Sequence, residues 1–400
     1  MIRVPNDSSS DFDAMLPLLT PETSSATTLQ HQWIHDSQEL EQIREDWTRL
    51  LKSVDCQSVF MTPEWTLVWW KHFGNKSRMA VLAVRDASEQ LVGLAPFYIS
   101  THQFGWRRLA FLADSHVGSD YLSILAARGS ESAVAATVVA SIDGQRKAWD
   151  YIELRDTADS PLMKDFSERL KKITEDSERF VASTCYYIPL LGTFEDYMAT
   201  SSSRVWRDYR KCWKALTTKH AGSLQVYSSV ETLSDVFQEF LRLHELRFQS
   251  RGERSAILQP GVPSFQKEAA LALAESGVAR IVLVKAGDQS IAALYGFAVG
   301  EGFQYYQAGM DPSWDHLSPG KLVLAGTIQY LISAGQKEFD FLQGAEPYKA
   351  DWAQHKRHTF TERYFDSRPR SQMARLSLRA RAMASRWKAA IIMKRRKADE

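Results

Sequence analysis

The sequence has few of the features that define several large classes of protein. Three cysteines, Cys56, Cys185 and Cys212, occur in 400 residues, and their spacing suits neither a disulfide framework nor a zinc site. No run of about twenty apolar residues occurs, and the N-terminus lacks the basic and apolar segments of a signal peptide. These absences predict a cytoplasmic protein in a reducing compartment, without a metal site.

An excess of charge of one sign is also missing. The 49 Lys and Arg residues balance 48 Asp and Glu residues, so attraction to nucleic acid or membranes has to come from local patches. The sequence contains no Walker loop and no nucleophile elbow. This pattern favours direct transfer between two bound substrates over hydrolysis by a metal or a catalytic triad.

The composition, 44% hydrophobic and 24% charged, is typical of a globular protein, and the length suits about two domains. Residues 1–28, rich in Ser, Thr, Pro and Asp, are predicted to be a mobile tail. Residues 161–180 have the pattern of a charged amphipathic helix.

One strand, turn and strand pattern occurs twice, at residues 79–100 and again at 279–300. Each copy leads to a helical pattern and a further strand, WDYIELR in the first copy and EFDFLQG in the second. We interpret the chain as two α/β units with mixed sheets, residues 29–190 and 191–365, followed by a basic tail over 366–400.

Two basic segments stand out. In SSRVWRDYRKCWKAL, aromatic residues share one helical face and basic residues lie away from it, which predicts a nucleic-acid or phosphate patch or a packed helix with a solvated face. In the tail, apolar residues recur at steps of three and four beneath a basic face. This predicts a helix that binds an anionic membrane surface through residues 370–397, or one that packs against the protein body.

The loop DHLSPGK lies where a strand passes into a helix. Ser318 is expected to cap that helix, Gly320 to let a ligand approach the backbone, and Lys321 to add positive charge. The free N–H groups and the helix dipole attract an anion such as a pyrophosphate. An ordinary Ser-Pro helix start without a ligand gives the same pattern.

Polar residues cluster at and beyond the end of the strand EFDFLQG, where α/β sheets usually bind ligands. Asp340 or Glu346 can take a proton from an attacking amine, and Tyr348 or Lys349 can return one to a leaving group. Charged residues exposed in a turn would look the same. A preceding helix carries His244, Arg247 and Arg251 on its polar side, which makes them candidates for substrate binding.

Residues 204–352 resemble the acyltransferase domain of the GNAT superfamily found in cellulose-biosynthesis-associated, or CelD-like, proteins. The matching features are the basic aromatic run above, RFQSRG, LSPGKLVLAGTIQYLISAG and, above all, FDFLQGAEPYKADW. WDYIEL and GSDYLSIL extend the resemblance over most of the chain from about Trp33. A similar double arrangement occurs in the Fem-type aminoacyl-tRNA-dependent peptidyltransferases.

The resemblance implies a tandem GNAT fold that passes an acyl group, most simply acetyl, from acyl-coenzyme A to an amine or hydroxyl of a small-molecule or glycan acceptor in surface polysaccharide biosynthesis. The family's pyrophosphate loop maps onto a short stretch here, and its thioester carbonyl lies along the strand FQYYQAG, where backbone N–H groups stabilise the oxyanion. The implied cofactor-binding residues are Gln307, Ala308, Leu317, Ser318, Gly320, Lys321 and Leu322.

The phosphate loop departs from the family's Q/R-x-x-G-x-G/A pattern, because DHLSPGK has a single glycine. Two alternatives therefore stand beside the acyl-coenzyme A reading. One is a Fem-like transferase that uses a charged tRNA, and the other is a degenerate scaffold at the membrane surface. The first copy has ADSHVGSDY in place of a phosphate loop. It is expected to be non-catalytic, with Asp120 and His116 facing the acceptor cleft.

Overall fold

The computed structural model describes residues 29–54, 57–200, 203–344 and 346–399. The predicted mobile tail, residues 1–28, and Cys56 lie outside them. Within the described residues, thirteen strands form one mixed sheet, and helices pack on both faces of it. The expectation of an α/β fold with mixed sheets is therefore confirmed.

The first unit begins with strands and helices that alternate along the chain. Its strands are β1 (Gln30–Ile34), β2 (Ser77–Arg85), β3 (Leu91–Thr101), β4 (Arg107–Phe111), β5 (Leu125–Ala126) and β6 (Tyr151–Thr157). Its helices are α1 (Ser37–Gln42), α2 (Arg44–Ser53), α3 (Pro63–Phe73), α4 (Glu131–Gly144) and α5 (Pro161–Ile173).

The rest of the chain begins with the last strand of the first unit and continues through the second unit and the C-terminal helix. The strands are β7 (Asp176–Pro189), β8 (Gly222–Tyr227), β9 (Ala279–Ala286), β10 (Gln289–Val299), β11 (Gly302–Met310), β12 (Glu338–Gln343) and β13 (His355–Phe365). The helices are α6 (Phe194–Thr200), α7 (Ser203–His220), α8 (Val230–Gln249), α9 (Val262–Glu275), α10 (Pro319–Ser333), α11 (Pro347–Trp352) and α12 (Pro369–Asp399).

The same connectivity occurs in both units. In the first, β2, β3 and β4 form an antiparallel meander, and α4 crosses over so that β6 pairs parallel with β4. In the second, β9, β10 and β11 form the meander, and α10 crosses over to the parallel strand β12. A tight turn can join only antiparallel neighbours, so the parallel strand needs the crossover helix in each case.

Strands of the two units alternate at the centre of the sheet. The sheet order at the centre is β4-β6-β13-β7-β12-β11, so β13 lies between β6 of the first unit and β7. The helix predicted over 161–180 ends at Ile173, and its last residues belong to β7. Their charged side chains have partners on the neighbouring strand and on α12: Glu178 contacts both Arg363 and Arg379.

An aromatic cluster joins the units above this sheet. Trp65 of α3 lies edge-on to Phe265 of α9 at 4.9 Å between ring centroids, and Phe60 lies edge-on to Phe297 of β10 at 6.3 Å. Edge-to-face pairs of this kind add about 0.5–1.5 kcal/mol each beyond the burial of their area. The two units therefore share a hydrophobic core as well as a sheet.

Candidate active site

A cleft opens where two parallel strands part. β11 and β12 pair only through residues 302–304 and 338–340. Beyond them β12 is irregular, and Leu342 adopts a left-handed backbone conformation with φ of 53°. The cleft beside β11 measures about 540 Å³ and is walled by Tyr305 and Ala308 of β11, by the first turn of α10, and by Tyr348 and Trp352 of α11.

Positive charge dominates the walls of this outer cleft. Its charged lining residues are four cations and one carboxylate: Arg204, Arg247, Arg251, Lys321 and Asp351. Lys321 also forms an ion pair of 2.9 Å with Asp208, and its hydrogen bond and charge lower the pKa of that carboxyl. Such a set of cations suits a ligand with several negative charges, such as a phosphorylated cofactor.

The N-terminus of α10 faces the same cleft. Ser318 precedes it with φ of 50° and ψ of 58°, and within the described chain its side chain caps no N–H group of the helix. The predicted cap is therefore wrong, because a left-handed residue turns its side chain away from the first turn. Of the predicted cofactor-binding residues, Gly320 and Lys321 line the cleft, whereas Leu317 and Leu322 lie in the core beneath.

A smaller inner pocket of about 130 Å³ shares several walls with the outer cleft. The residues common to both are Arg247, Tyr305, Ala308 and Tyr348. The inner pocket adds Gln307, Glu346 and Lys349 from the second unit, together with Gly118 and Asp120 from the first. The candidate site is therefore completed by residues of both units.

Asp120 lies at the inner pocket with no exposed surface. Its Oδ2 atom accepts a hydrogen bond of 2.8 Å from the backbone N–H of Gln343, while Oδ1 has no hydrogen-bond partner among the described residues. Burial raises the pKa of this carboxyl well above its usual range. Burial makes this carboxylate a stronger base, and its free oxygen is placed to accept a proton from a ligand.

Arg247 offers an unpaired hydrogen-bond donor that complements the unpaired acceptor of Asp120. One terminal nitrogen donates to the backbone oxygen of Ala308 at 3.0 Å, but its buried Nε has no hydrogen-bond partner in the described part of the chain. Buried polar atoms are nearly always paired, so an unpaired donor and an unpaired acceptor lining one pocket point to a ligand. That ligand would offer a hydrogen to Asp120 and an oxygen to Arg247.

Lys349 holds the chain around the inner pocket. It is buried, and its ammonium donates to the backbone oxygens of Gln343 and Phe341 at 2.7 and 3.2 Å and pairs with Glu346 at 2.9 Å. Gly344, with φ of 116°, leaves room for this arrangement, since a Cβ there would lie 2.3 Å from Glu346. Burial raises the pKa of the neighbouring Tyr348 above its usual range, so its hydroxyl keeps its proton.

Asp340 lies apart from the other three predicted catalytic residues. It lines a different cavity with Tyr121 and Arg357, and its oxygens accept hydrogen bonds from both of them and from the backbone N–H of Leu342. These bonds make it a support for the irregular segment of β12. Sequence reasoning missed Tyr121, although it directly follows Asp120, and Arg357, which lies in the alternating segment HKRHTF.

His244 also differs from its predicted role in substrate binding. It is fully buried, with Nδ1 3.0 Å from the oxygen of Ala308 and Nε2 2.6 Å from the hydroxyl of Ser255. Burial lowers its pKa to about 4, so it is neutral near pH 7. α8 approaches β11 closely here, since a Cβ at Gly309 would lie 2.3 Å from the His244 backbone. His244 thus supports β11 from the side on which α8 packs.

In the first unit, a bridge from a later segment continues the pairing of β6 beyond β4. Arg108 and Leu109 of β4 pair with β6, and beyond them Leu122 takes the next place beside β6. Its N–H donates to the oxygen of Asp156 at 3.0 Å, and its own oxygen accepts from Ala158 at 3.0 Å. The segment between β4 and α4 therefore packs along β6 of its own unit, and its Asp120 reaches the inner pocket of the other.

Comparison with known proteins agrees with this geometry. Residues 203–350 match the family model described as an acetyltransferase (GNAT) domain. The crystal structure of FemX has the same fold with a TM-score of 0.63 and 10% sequence identity, over 86% of this chain and 99% of that one. No curated protein sequence matches the chain.

Two further solved structures share the fold. The C-terminal domain (DUF2156) of a putative lysylphosphatidylglycerol synthetase from Agrobacterium fabrum has a TM-score of 0.51 and 8% identity, over 80% of this chain and 92% of that one. L-PGS from Bacillus licheniformis has a TM-score of 0.50 and 11% identity, over 83% and 93%. The match of residues 203–350 to a GNAT acetyltransferase domain confirms the predicted fold and the assignment as a transferase.

Proposed function

We propose that this chain moves an acyl group, most simply acetyl, from acyl-coenzyme A to an amine or hydroxyl of a small-molecule or glycan acceptor. The observation that carries the proposal is the inner pocket, where the unpaired oxygen of Asp120 and the unpaired Nε of Arg247 line a space next to a cleft rich in cations. The GNAT match supports the choice of acyl transfer.

The outer cleft would hold the donor. Its phosphates would lie at the N-terminus of α10, near Gly320, Lys321 and Arg251, where the helix dipole and the cations favour negative charge. The rest of the donor would follow β11 towards Ala308 and Gln307, because β12 has left that edge of the strand open. This direction brings the thioester to the junction between cleft and pocket.

The inner pocket would hold the acceptor and the reacting atoms. Asp120 takes the proton of the acceptor amine or hydroxyl as its nitrogen or oxygen forms a bond to the thioester carbon. Arg247 and backbone N–H groups of β11 stabilise the negative charge on the carbonyl oxygen. When the carbon–sulfur bond breaks, the hydroxyl of Tyr348 stabilises the leaving thiolate by a hydrogen bond, and the proton on Asp120 passes through solvent to the released thiolate. Lys349 and Glu346 keep the pocket in shape.

An Asp120→Asn variant tests this assignment. We expect kcat/KM with acetyl-coenzyme A to fall by about 10²–10⁴-fold, because the amide cannot act as a base. The rates of free coenzyme A release would be measured with a panel of amine and aminosugar acceptors. Asp288→Asn, at an exposed turn, is the matched control and should keep its activity. Full activity in Asp120→Asn would exclude this base.

A charged tRNA is the second candidate donor, supported by the exposed basic face of α7. The exposed basic residues there are Arg204, Arg207, Arg210, Lys211 and Lys214. Thermal unfolding separates the donors, since a ligand at about a hundred times its Kd stabilises the fold by about 2.7 kcal/mol. Stabilisation by acetyl-coenzyme A that is lost in Lys321→Ala supports our proposal. Stabilisation by charged tRNA alone would favour the Fem-like function, and by neither, a scaffold.

We further propose a role in surface polysaccharide biosynthesis, at the cytoplasmic side, on the basis of the CelD-like motif FDFLQGAEPYKADW. The expected effect of deleting the gene is a loss of acyl groups from the surface polysaccharide, measured by NMR of the purified polymer. Unchanged acylation in the deletion strain would exclude a role in that pathway. It would not bear on acyl transfer itself, which the enzyme assay tests separately.

A further inference from the structure

The C-terminal helix α12 is attached to the protein body along one face near its start. Ser371 and Ala374 have no exposed surface. Ion pairs fix the same region: Arg370 contacts Asp150 at 3.0 Å, and Arg379 contacts Glu178 at 2.7 Å. The helix is therefore held in a defined orientation on β6 and β7.

The opposite face of α12 is apolar and exposed. Met373, Leu376, Met383 and Trp387 are 55%, 66%, 62% and 76% exposed. At 100° per residue these positions form one stripe along the helix, and Leu376 and Ala374 lie about 160° apart around the axis. Large apolar side chains exposed in a row are the usual sign of a binding surface.

The charge around this stripe has one sign. Between Asp366 and Asp399 the sequence has eleven Lys and Arg residues and no acidic residue. Several of the arginines near the start of the helix are used in ion pairs to the body, among them Arg370 and Arg375. A second group of cations lies near the other end of the helix, where residues 394–397 have the sequence KRRK.

We infer that α12 docks the protein on an anionic lipid bilayer. The stripe from Met373 to Trp387 would enter the region between headgroups and acyl chains, and the basic residues would contact lipid phosphates. No helix among the described residues is long and apolar enough to cross a membrane. The inference depends on α12 alone and holds whether or not the proposed acyl transfer is correct.

Vesicle binding by the full-length protein tests this inference. The protein should sediment with vesicles that contain phosphatidylglycerol and stay in solution with phosphatidylcholine alone, and salt should weaken binding. In the double variant Leu376→Asp with Met383→Asp, the partition coefficient should fall at least about tenfold, because two charges replace inserted side chains. Both positions are exposed, so the melting temperature should not change.

Leu191→Asp is the matched control, since Leu191 is 71% exposed and follows the far end of β7 from α12. It should bind vesicles like the wild type. Equal vesicle binding by the double variant, or no binding by the wild type, would overturn the inference. So would concentration-dependent dimerisation of the wild type in sedimentation velocity that the double variant abolishes, because the stripe would then bind a second copy.

Discussion

Two buried ionisable side chains near β11 differ in whether their polar atoms are paired. His244 uses both ring nitrogens, with Ala308 and Ser255, whereas Asp120 leaves one oxygen without a partner in the described chain. A fully paired buried group is typical of a structural role, and an unpaired one of a ligand site. The sequence marked both as substrate-binding candidates, and only their surroundings in the fold distinguish them.

The neutral state of His244 predicts a loss of stability in mild acid. The unfolded chain takes up a proton near pH 6.5, but the folded state does so only near its pKa of about 4. The free energy of unfolding should therefore decrease from pH 6.5 to pH 4, by up to about 3 kcal/mol from this residue. Urea titrations across this range would measure it.

His244→Gln is the comparison for that measurement. The amide still offers a donor and an acceptor, but it does not titrate. The variant should lose less stability than the wild type over the same pH range. If the two proteins show parallel pH dependence, His244 does not contribute to the acid sensitivity of the fold.

At the scale of elements, the end of β12 connects the residues of the candidate site. Asp340 accepts from the backbone N–H of Leu342, the Gln343 N–H donates to Asp120, and Lys349 donates to the Gln343 oxygen. The irregular segment is thus held from both sides of the sheet. Its geometry sets the distance between the outer cleft and the inner pocket.

Asp340→Asn should therefore lower kcat through a change of position. We expect a loss of about tenfold or more, because small misplacements of reacting groups are costly, with the acid limb of the pH profile retained. A pH profile of kcat/KM that loses its acid limb would instead identify Asp340 as the base. Glu338→Gln is the control, since Glu338 also pairs with Arg357, whereas the N–H groups of Leu342 and Gln343 donate to Asp340 and Asp120.

The elements differ in how well the sequence predicts them. The repeated hairpins and crossover helices are correct because apolar alternation and turn residues are local signals. The chain from 176 to 180 and β13 were missed as strands, because their charged residues find partners only across the assembled sheet, as Glu178 does with Arg363. The parting of β11 from β12 depends on the backbone at Leu342, which no residue pattern reveals.

At the scale of the whole molecule, the two units are built as one sheet. The predicted boundary at residues 190 and 191 follows β7, whose neighbours β12 and β13 belong to the second unit, while β13 also pairs with β6. The predicted halves therefore share strands, which a boundary drawn from sequence repeats does not show.

Residues 191–365 expressed alone should not fold. Without β6 and β7, both β13 and the edge of β12 lose their partners, and the shared core is exposed. We expect a species that binds a hydrophobic dye and lacks near-ultraviolet circular dichroism. Co-expression with residues 29–190 should restore a soluble complex. Cooperative thermal unfolding of the isolated fragment would show that the second unit is autonomous.

The segment between β4 and α4 takes part in both units. Leu122 bridges to Thr157 of β6 in the first unit, and Asp120, two residues before it, lines the inner pocket of the second. A substitution that displaced Leu122 from β6 should therefore also shift Asp120 at the inner pocket. This edge of the first unit cannot be reshaped without altering the candidate site of the second.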